Sequence, residues 1–168
     1  MAATLILATV LFLCACGKRA PDESMIVERL CEHIVKDRQK MIVDQNGKET
    51  IWSDGAILER GSNFPEKLQH LITDAHHHTD IQSYLEKYHQ ESDPPWKQAS
   101  APSDLSLDKY VKVTSADGSI SALFESIYLE YLRMRHPNAE IKIRTEQGPI
   151  LFYENDQICA AIMPMLNK

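Results

Sequence analysis

Residues 140–163 read EIKIRTEQGPILFYENDQICAAIM. Three runs rich in β-branched and aromatic residues are cut by two turn signals, Gln147-Gly148 and Asn155-Asp156. Such dipeptides between short apolar runs mark β-hairpins. The spacing predicts strands over 140–145, 150–154 and 157–163, joined as an antiparallel meander.

Working back from the meander, His136-Pro137-Asn138 stops a helix. Ser119 caps that helix, and its apolar stripe is Ile120, Leu123, Phe124, Ile127, Tyr128, Tyr131 and Leu132. Asp117-Gly118 turns into it from an alternating strand over 109–114. Upstream lies a Pro/Ser/Ala loop at 92–104, around Pro94-Pro95-Trp96. A helical region starts near Pro65 and carries Leu68, Leu71, Ile72 and Ala75. A second helix, with Ile81, Tyr84, Leu85 and Tyr88, follows a break at His76-His77-His78. The first helix is capped by Asp22 or Ser24. Its stripe is Ile26, Val27, Leu30, Cys31, Ile34 and Val35, extended to Met41 and Ile42 and ended by Asn46-Gly47. A short extended stretch at 49–52 closes at Asp54-Gly55. Together these elements predict an α+β fold: amphipathic helices packed on one face of a small antiparallel sheet with a C-terminal three-strand meander.

The chain has 168 residues, 43% apolar and 25% charged, values ordinary for a globular protein. Its net charge of −6, with no basic run, argues against a nucleic-acid partner. It also argues against binding anionic lipid headgroups by charge alone.

The start of the chain is different in kind. Residues 1–15 carry no charged side chain, and as a helix they would span about 22 Å, short of the roughly 30 Å hydrocarbon core. That suits the apolar region of a signal peptide. The junction Leu13-Cys14-Ala15-Cys16 resembles the lipobox of bacterial lipoproteins. Leu13 takes the aliphatic place and Ala15 the small place before the lipidated cysteine. Cys14 stands where the pattern has another small residue. The resemblance implies cleavage before Cys16, with residues 1–15 as the signal peptide and the membrane as a partner through lipid on Cys16. Two or three acyl chains, at about 0.8 kcal/mol per buried methylene, hold such an anchor stably. Gly17, in place of the Asp that retains such proteins in the inner membrane of enteric-type bacteria, implies the outer membrane, facing the periplasm. Residues 16–21 then form a tether that reaches only about 20 Å when extended, and residues 22–168 form one domain.

Four cysteines occur, Cys14, Cys16, Cys31 and Cys159. Cleavage and lipid would use the first two. An even remainder in an oxidising compartment suggests a Cys31–Cys159 disulfide, with two buried free thiols as the rival reading.

His70, Asp74 and His77 fall at i, i+4 and i+7, on one helical face. Imidazole and carboxylate at that spacing can share zinc or copper, although a solvated helix face gives the same pattern. Met163-Pro164-Met165 beside Cys159 could act as soft copper ligands or as core. Trp52, Trp96, Tyr110 and Tyr153 are the possible surface anchors; the rival reading, preferred except for Trp96, leaves Trp52 and Tyr153 partly buried in the sheet and only Trp96, in the Pro loop, exposed. The chain carries no Gly-x-Ser-x-Gly elbow, no phosphate loop, no His-Glu-x-x-His and no Cys-x-x-Cys. The reading is therefore a non-catalytic envelope lipoprotein, without cofactor, that binds another envelope protein in the manner of immunity or exclusion proteins. The alternatives are a periplasmic metal-binding lipoprotein using the 70–78 helix, and an enzyme acting on cell wall or lipid.

Overall fold

In the computed structural model the described residues are 22–36, 42–46, 49–61, 64–71, 94–103, 105–107 and 109–165. Among them the chain runs α1 (Glu23–Lys36), β1 (Ile42–Asn46), β2 (Glu49–Ser53), β3 (Ile57–Gly61) and α2 (Glu66–Gln69). Then come β4 (Lys97–Ser100), β5 (Tyr110–Ser115), β6 (Ser121–Glu125), α3 (Ser126–Arg135), β7 (Glu140–Ile143), β8 (Ile150–Glu154) and β9 (Gln157–Ile162). Helix and strand are mixed, but sheet dominates.

The strands form one nine-stranded sheet in the order β1-β2-β3-β9-β8-β7-β4-β5-β6. Every pairing is antiparallel. The meander β7-β8-β9 lies at its centre, with Ile143 opposite Ile150 and Glu154 opposite Gln157. Asn155 and Asp156 both take positive φ, 50° and 61°. A two-residue hairpin needs that, and Asn and Asp tolerate it better than bulkier residues.

The sheet curls. β4 pairs with β7 through Lys97 and Gln98, and with β5 through Ala99 and Ser100, so the ladder changes partners along one short strand. The segment after β9 ties two distant strands together. Met163 N–H donates to the carbonyl of Ala56 at the head of β3, and Met165 N–H to that of Leu123 on β6.

The curl wraps α3. Ser126, Ile127, Tyr128, Leu129, Tyr131 and Leu132 are all buried. A helix apolar around most of its circumference belongs in the middle of a core. α1 covers it with Ile26, Val27, Leu30 and Ile34, while Val35, assigned to the same stripe from sequence, is exposed. Each such fully buried side chain contributes roughly 1.5–3 kcal/mol. The opposite sheet face buries Ile51, Leu58, Leu151, Tyr153, Ile158 and Ala161, with Trp96 against them.

Several expectations are corrected. The sheet is large rather than small. The helix expected from Ser119 begins only at Ser126, because 121–125 pairs with β5, burying Ala122 and Phe124 and turning Leu123 outward. The first helix ends at Lys36, and 42–46 is a strand opposite β2. Within the expected loop 92–104, Lys97–Ser100 is an interior strand. Residues 57–61, unassigned from sequence, form β3 between β2 and β9.

Candidate functional site

The most buried charged group among the described residues is Glu59, 1% exposed, on the helix-facing side of β3. Its cross-strand neighbour is Trp52, whose indole Nε1–H donates to Glu59 Oε2 at 2.6 Å. Tyr131, from α3, donates its hydroxyl to the same oxygen at 2.6 Å. One turn on, Arg135 Nε–H donates to Oε1 at 3.1 Å. His136 Nε2 lies 3.2 Å from Oε1. One carboxylate therefore gathers β2, α3 and the end of α3. The rings of Trp52 and Tyr131 meet edge to face, 5.9 Å between centroids.

His136 is where the helix stops. Its N–H still reaches the carbonyl of Leu132, but its own φ and ψ, −127° and 65°, are no longer helical. Pro137 follows and disfavours the helical region for the residue before it. The exit turns one imidazole nitrogen to Glu59 and leaves Nδ1 3.3 Å from Glu154 Oε2.

Cys159 completes the group. Phe152 pairs with Ala160 while Tyr153 pairs with Ile158, so Cys159 is the extra residue of a β-bulge. A bulge breaks the in-out alternation and re-aims a side chain. Ile158 accordingly faces one core and Cys159 and Ala160 both face the other. The thiol donates to the carbonyl of Phe152 at 3.4 Å. One ligand-type atom each from His136, Glu154 and Cys159 lies within 4.8 Å of the others.

Charge in this network is mutually supported. Burial alone would raise the Glu59 pKa, but bonds from His136, Tyr131 and Trp52, with the Arg135 charge, hold it below the ordinary carboxylate value. Burial would lower that of His136, yet Cys159 and Glu59 push it up to about 10. Burial, and then the Glu59 charge, raise the Tyr131 pKa, so its hydroxyl stays a donor.

Two further ties involve α3. Asp54 Oδ1 accepts from the Ala56 and Ile57 amides at 2.9 and 3.0 Å, and its Oδ2 accepts from Tyr128 at 2.6 Å. Tyr128 and Tyr131 thus fasten α3 to the turn before β3 and to the middle of β3. The Ser126 hydroxyl, at the head of α3, donates toward the Ser106 and Lys109 carbonyls. Beside it His33 of α1 pairs with Glu125. These two form part of a cleft of about 410 Å³ whose walls include Arg29, Lys36, Lys109 and Tyr110. Tyr110 is 59% exposed.

The sequence-derived candidates fare unevenly. Cys16, the signal peptide and the tether lie outside the described residues. So do Asp74 and His77; His70 is exposed just after α2. Cys31 and Cys159 are both free thiols, so the expected bridge is not made. Each has its own surroundings: Cys31 is half-buried near Lys67, Glu28 and Glu32, and Cys159 sits with His136. Trp52 is fully buried, Tyr153 is buried but for 8%, and Trp96 is half-buried under Arg144, 4.9 Å from its ring. Among the described residues the exposed aromatic one is Tyr110. Met163 is half-buried and Met165 is 39% exposed.

Glu59, His136 and Glu154 escaped sequence reasoning. The usable signal was His136-Pro137, a titratable residue forced out of a helix at a fixed place. Comparison with known proteins finds no matching family model, no matching curated protein and no matching solved structure.

Proposed function

We propose that this chain is a lipid-anchored envelope lipoprotein whose domain is a non-catalytic module that binds another envelope protein. Lipid on Cys16 holds it to the outer membrane, on the periplasmic side. The order of α1 supports a close seat: its first turn is built on the carbonyl of Asp22, bonded by the Met25 and Ile26 amides. Six residues, 16–21, then separate the lipid from folded chain, a reach of about 20 Å.

The observation that carries protein binding is the cleft beside α1. Tyr110 presents an exposed aromatic ring on its wall, and Arg29, Lys36 and Lys109 outnumber Glu32 and Glu125 in a chain of net charge −6. Exposed Tyr and Arg are the side chains that anchor interfaces. The partner that fits is an acidic segment of a neighbouring envelope protein, steered by the local positive charge.

Affinity capture from crosslinked envelopes tests this reading. The wild type should recover a reproducible partner with an acidic segment. Tyr110→Ala or Lys109→Glu should each reduce recovery about 5–30-fold, as loss of an interface anchor does. Recovery unchanged in both variants would remove the cleft from the proposal. Peptide mapping should find an acylated Cys16 at the mature N-terminus, and Cys16→Ser should free the protein from the membrane. Metal binding through His70, Asp74 and His77 stands as the alternative, on their spacing alone.

A further inference from the structure

The geometry points to a divalent-metal site of the zinc class at the β8–β9 hairpin, with His136 Nδ1, Cys159 Sγ and one Glu154 carboxylate oxygen as its ligands. This goes beyond the binding module proposed above and involves none of the 70–78 residues.

Four independent features converge. The donor set is one nitrogen, one sulfur and one oxygen, a mixture that suits zinc among common divalent ions. Its atoms already lie within 4.8 Å of one another. Bond lengths of about 2.0–2.3 Å in a tetrahedron place ligand pairs roughly 3.3–3.6 Å apart. His136 Nδ1 and Glu154 Oε2 already meet that spacing at 3.3 Å, so the remaining contraction falls on the distances to Cys159 Sγ.

The histidine is prepared for the task. Metal-bound imidazole usually gives its second N–H to a carboxylate, which fixes the tautomer and the ring plane. Here Nε2 meets Glu59 Oε1 at 3.2 Å, and Glu59 is held in turn by Trp52, Tyr131 and Arg135. The remaining nitrogen, Nδ1, lies 3.3 Å from Glu154 Oε2. A cation placed there would sit between the same two atoms.

The cysteine is placed by a local irregularity. Ile158 faces the opposite core, so alternation from the hairpin turns Cys159 to the helix side, and the bulge leaves it there without a cross-strand partner, beside Ala160 on the same face. Bulges occur often beside functional sites for this reason. Finally, the site has access: Glu154 ends β8 next to the exposed turn at Asn155 and Asp156.

Three protein ligands leave a fourth position for water or for a group from a partner. Binding displaces one proton from Nδ1 and one from the thiol, both to solvent, and the Cys159 bond to Phe152 is given up.

The test uses the full chain in detergent, purified without a polyhistidine tag and stripped with chelator. Zinc is titrated against a chromophoric chelator, and cobalt(II) is titrated separately. One equivalent should bind at micromolar or lower concentration, and cobalt should show a thiolate charge-transfer band. Cys159→Ser should abolish the band, while Cys31→Ser should keep it. Glu154→Gln, at the exposed ligand, should fold normally by circular dichroism and weaken zinc binding at least 10-fold. His70→Ala should leave the affinity unchanged. Zinc binding only at millimolar concentration overturns the site. So does a cobalt band that survives Cys159→Ser, or an affinity indifferent to Glu154→Gln.

Discussion

Glu59→Gln keeps the shape of the side chain at the centre of the network and removes its charge. Its two oxygens accept four donors, Trp52 and Tyr131 on one, Arg135 and His136 on the other. A glutamine has one oxygen and one NH2, so one pair must face a donor. If the NH2 faces Arg135 and His136, two bonds vanish and two cations lose their buried counter-charge. If it faces Trp52 and Tyr131, the Tyr131 hydroxyl can rotate to accept, but the indole N–H cannot. Hydrogen bonds to charged groups contribute about 1.5–3 kcal/mol each, and breaking a buried ion pair costs about 3–5 kcal/mol. The expected loss is therefore about 3–5 kcal/mol, a large part of the 5–15 kcal/mol typical of a domain. With a urea slope near 2 kcal/mol/M, the midpoint should fall by about 2 M. Equilibrium urea unfolding of the metal-free protein, followed by tryptophan fluorescence and circular dichroism together, measures it. Tyr131→Phe should cost about 1.5–3 kcal/mol alone. The double variant should cost less than the two singles added, because one bond is counted in both. A loss below about 1 kcal/mol for Glu59→Gln, or strict additivity with Tyr131→Phe, refutes the claim that this carboxylate organises the core.

Tyr128→Phe removes one bond to the Asp54 carboxylate and should lower the melting temperature by about 2–8 °C in calorimetry, for a loss of about 1–2 kcal/mol. Gly148→Ala would set a Cβ 2.7 Å from Thr145 Oγ1, so it should destabilise by about 1–3 kcal/mol in urea, and Thr145→Ala should restore most of that. Asp117 accepts bonds from Lys97, Ser115 and Ser119, which hold its pKa below the ordinary value of 3.8. A depressed carboxylate stabilises the fold above its unfolded pKa and loses that effect as pH falls through the folded one. Asp117→Asn should thus be less stable than wild type at pH 6, with the gap closing below about pH 3 in urea titrations. Denatured without reductant, Cys31 and Cys159 should each take one alkylating label, read by peptide mass spectrometry; an unlabelled, disulfide-linked pair of peptides would contradict the free thiols.

The meander was legible because its information is local. Two turn dipeptides and three apolar runs determine β7, β8 and β9 with little help from the rest of the chain. The stripe Ile26, Val27, Leu30 and Ile34 was legible for the same reason. What escaped depends on partners far away in sequence. β4 is four residues long, mostly polar and flanked by prolines, and only Ala99 is buried. Its strand character comes from β5 on one side and β7 on the other. The run 119–132 shows the converse. Ile120, Phe124, Ile127 and Tyr131 fit a helical stripe, but Ala122 and Phe124 also fit a strand, and the Asp117-Gly118 turn brings that strand against β5. The two periods overlap there, and tertiary pairing decides between them.

The site was hidden for a related reason. Nothing around Glu59, in Ile57-Leu58-Glu59-Arg60, separates a buried carboxylate from a solvated one. Burial follows only when Trp52, one strand away, and Tyr131, Arg135 and His136, more than 70 positions on, close over it. Such a group is costly to bury alone and tolerable only with every lone pair engaged. Its presence in a core that already had apolar material to fill the space asks for a reason beyond stability, since buried ion pairs seldom outperform well-packed hydrophobic residues. Orientation supplies one. Of the groups Glu59 holds, His136 alone sits at a backbone break, offers a second nitrogen and meets another carboxylate and a bulge cysteine. If orienting that imidazole is the role of Glu59, then Glu59→Gln should weaken zinc binding even at low temperature and without denaturant, where the variant remains folded. A structural tie with no such role would lower stability and leave the zinc affinity of the folded protein where it was.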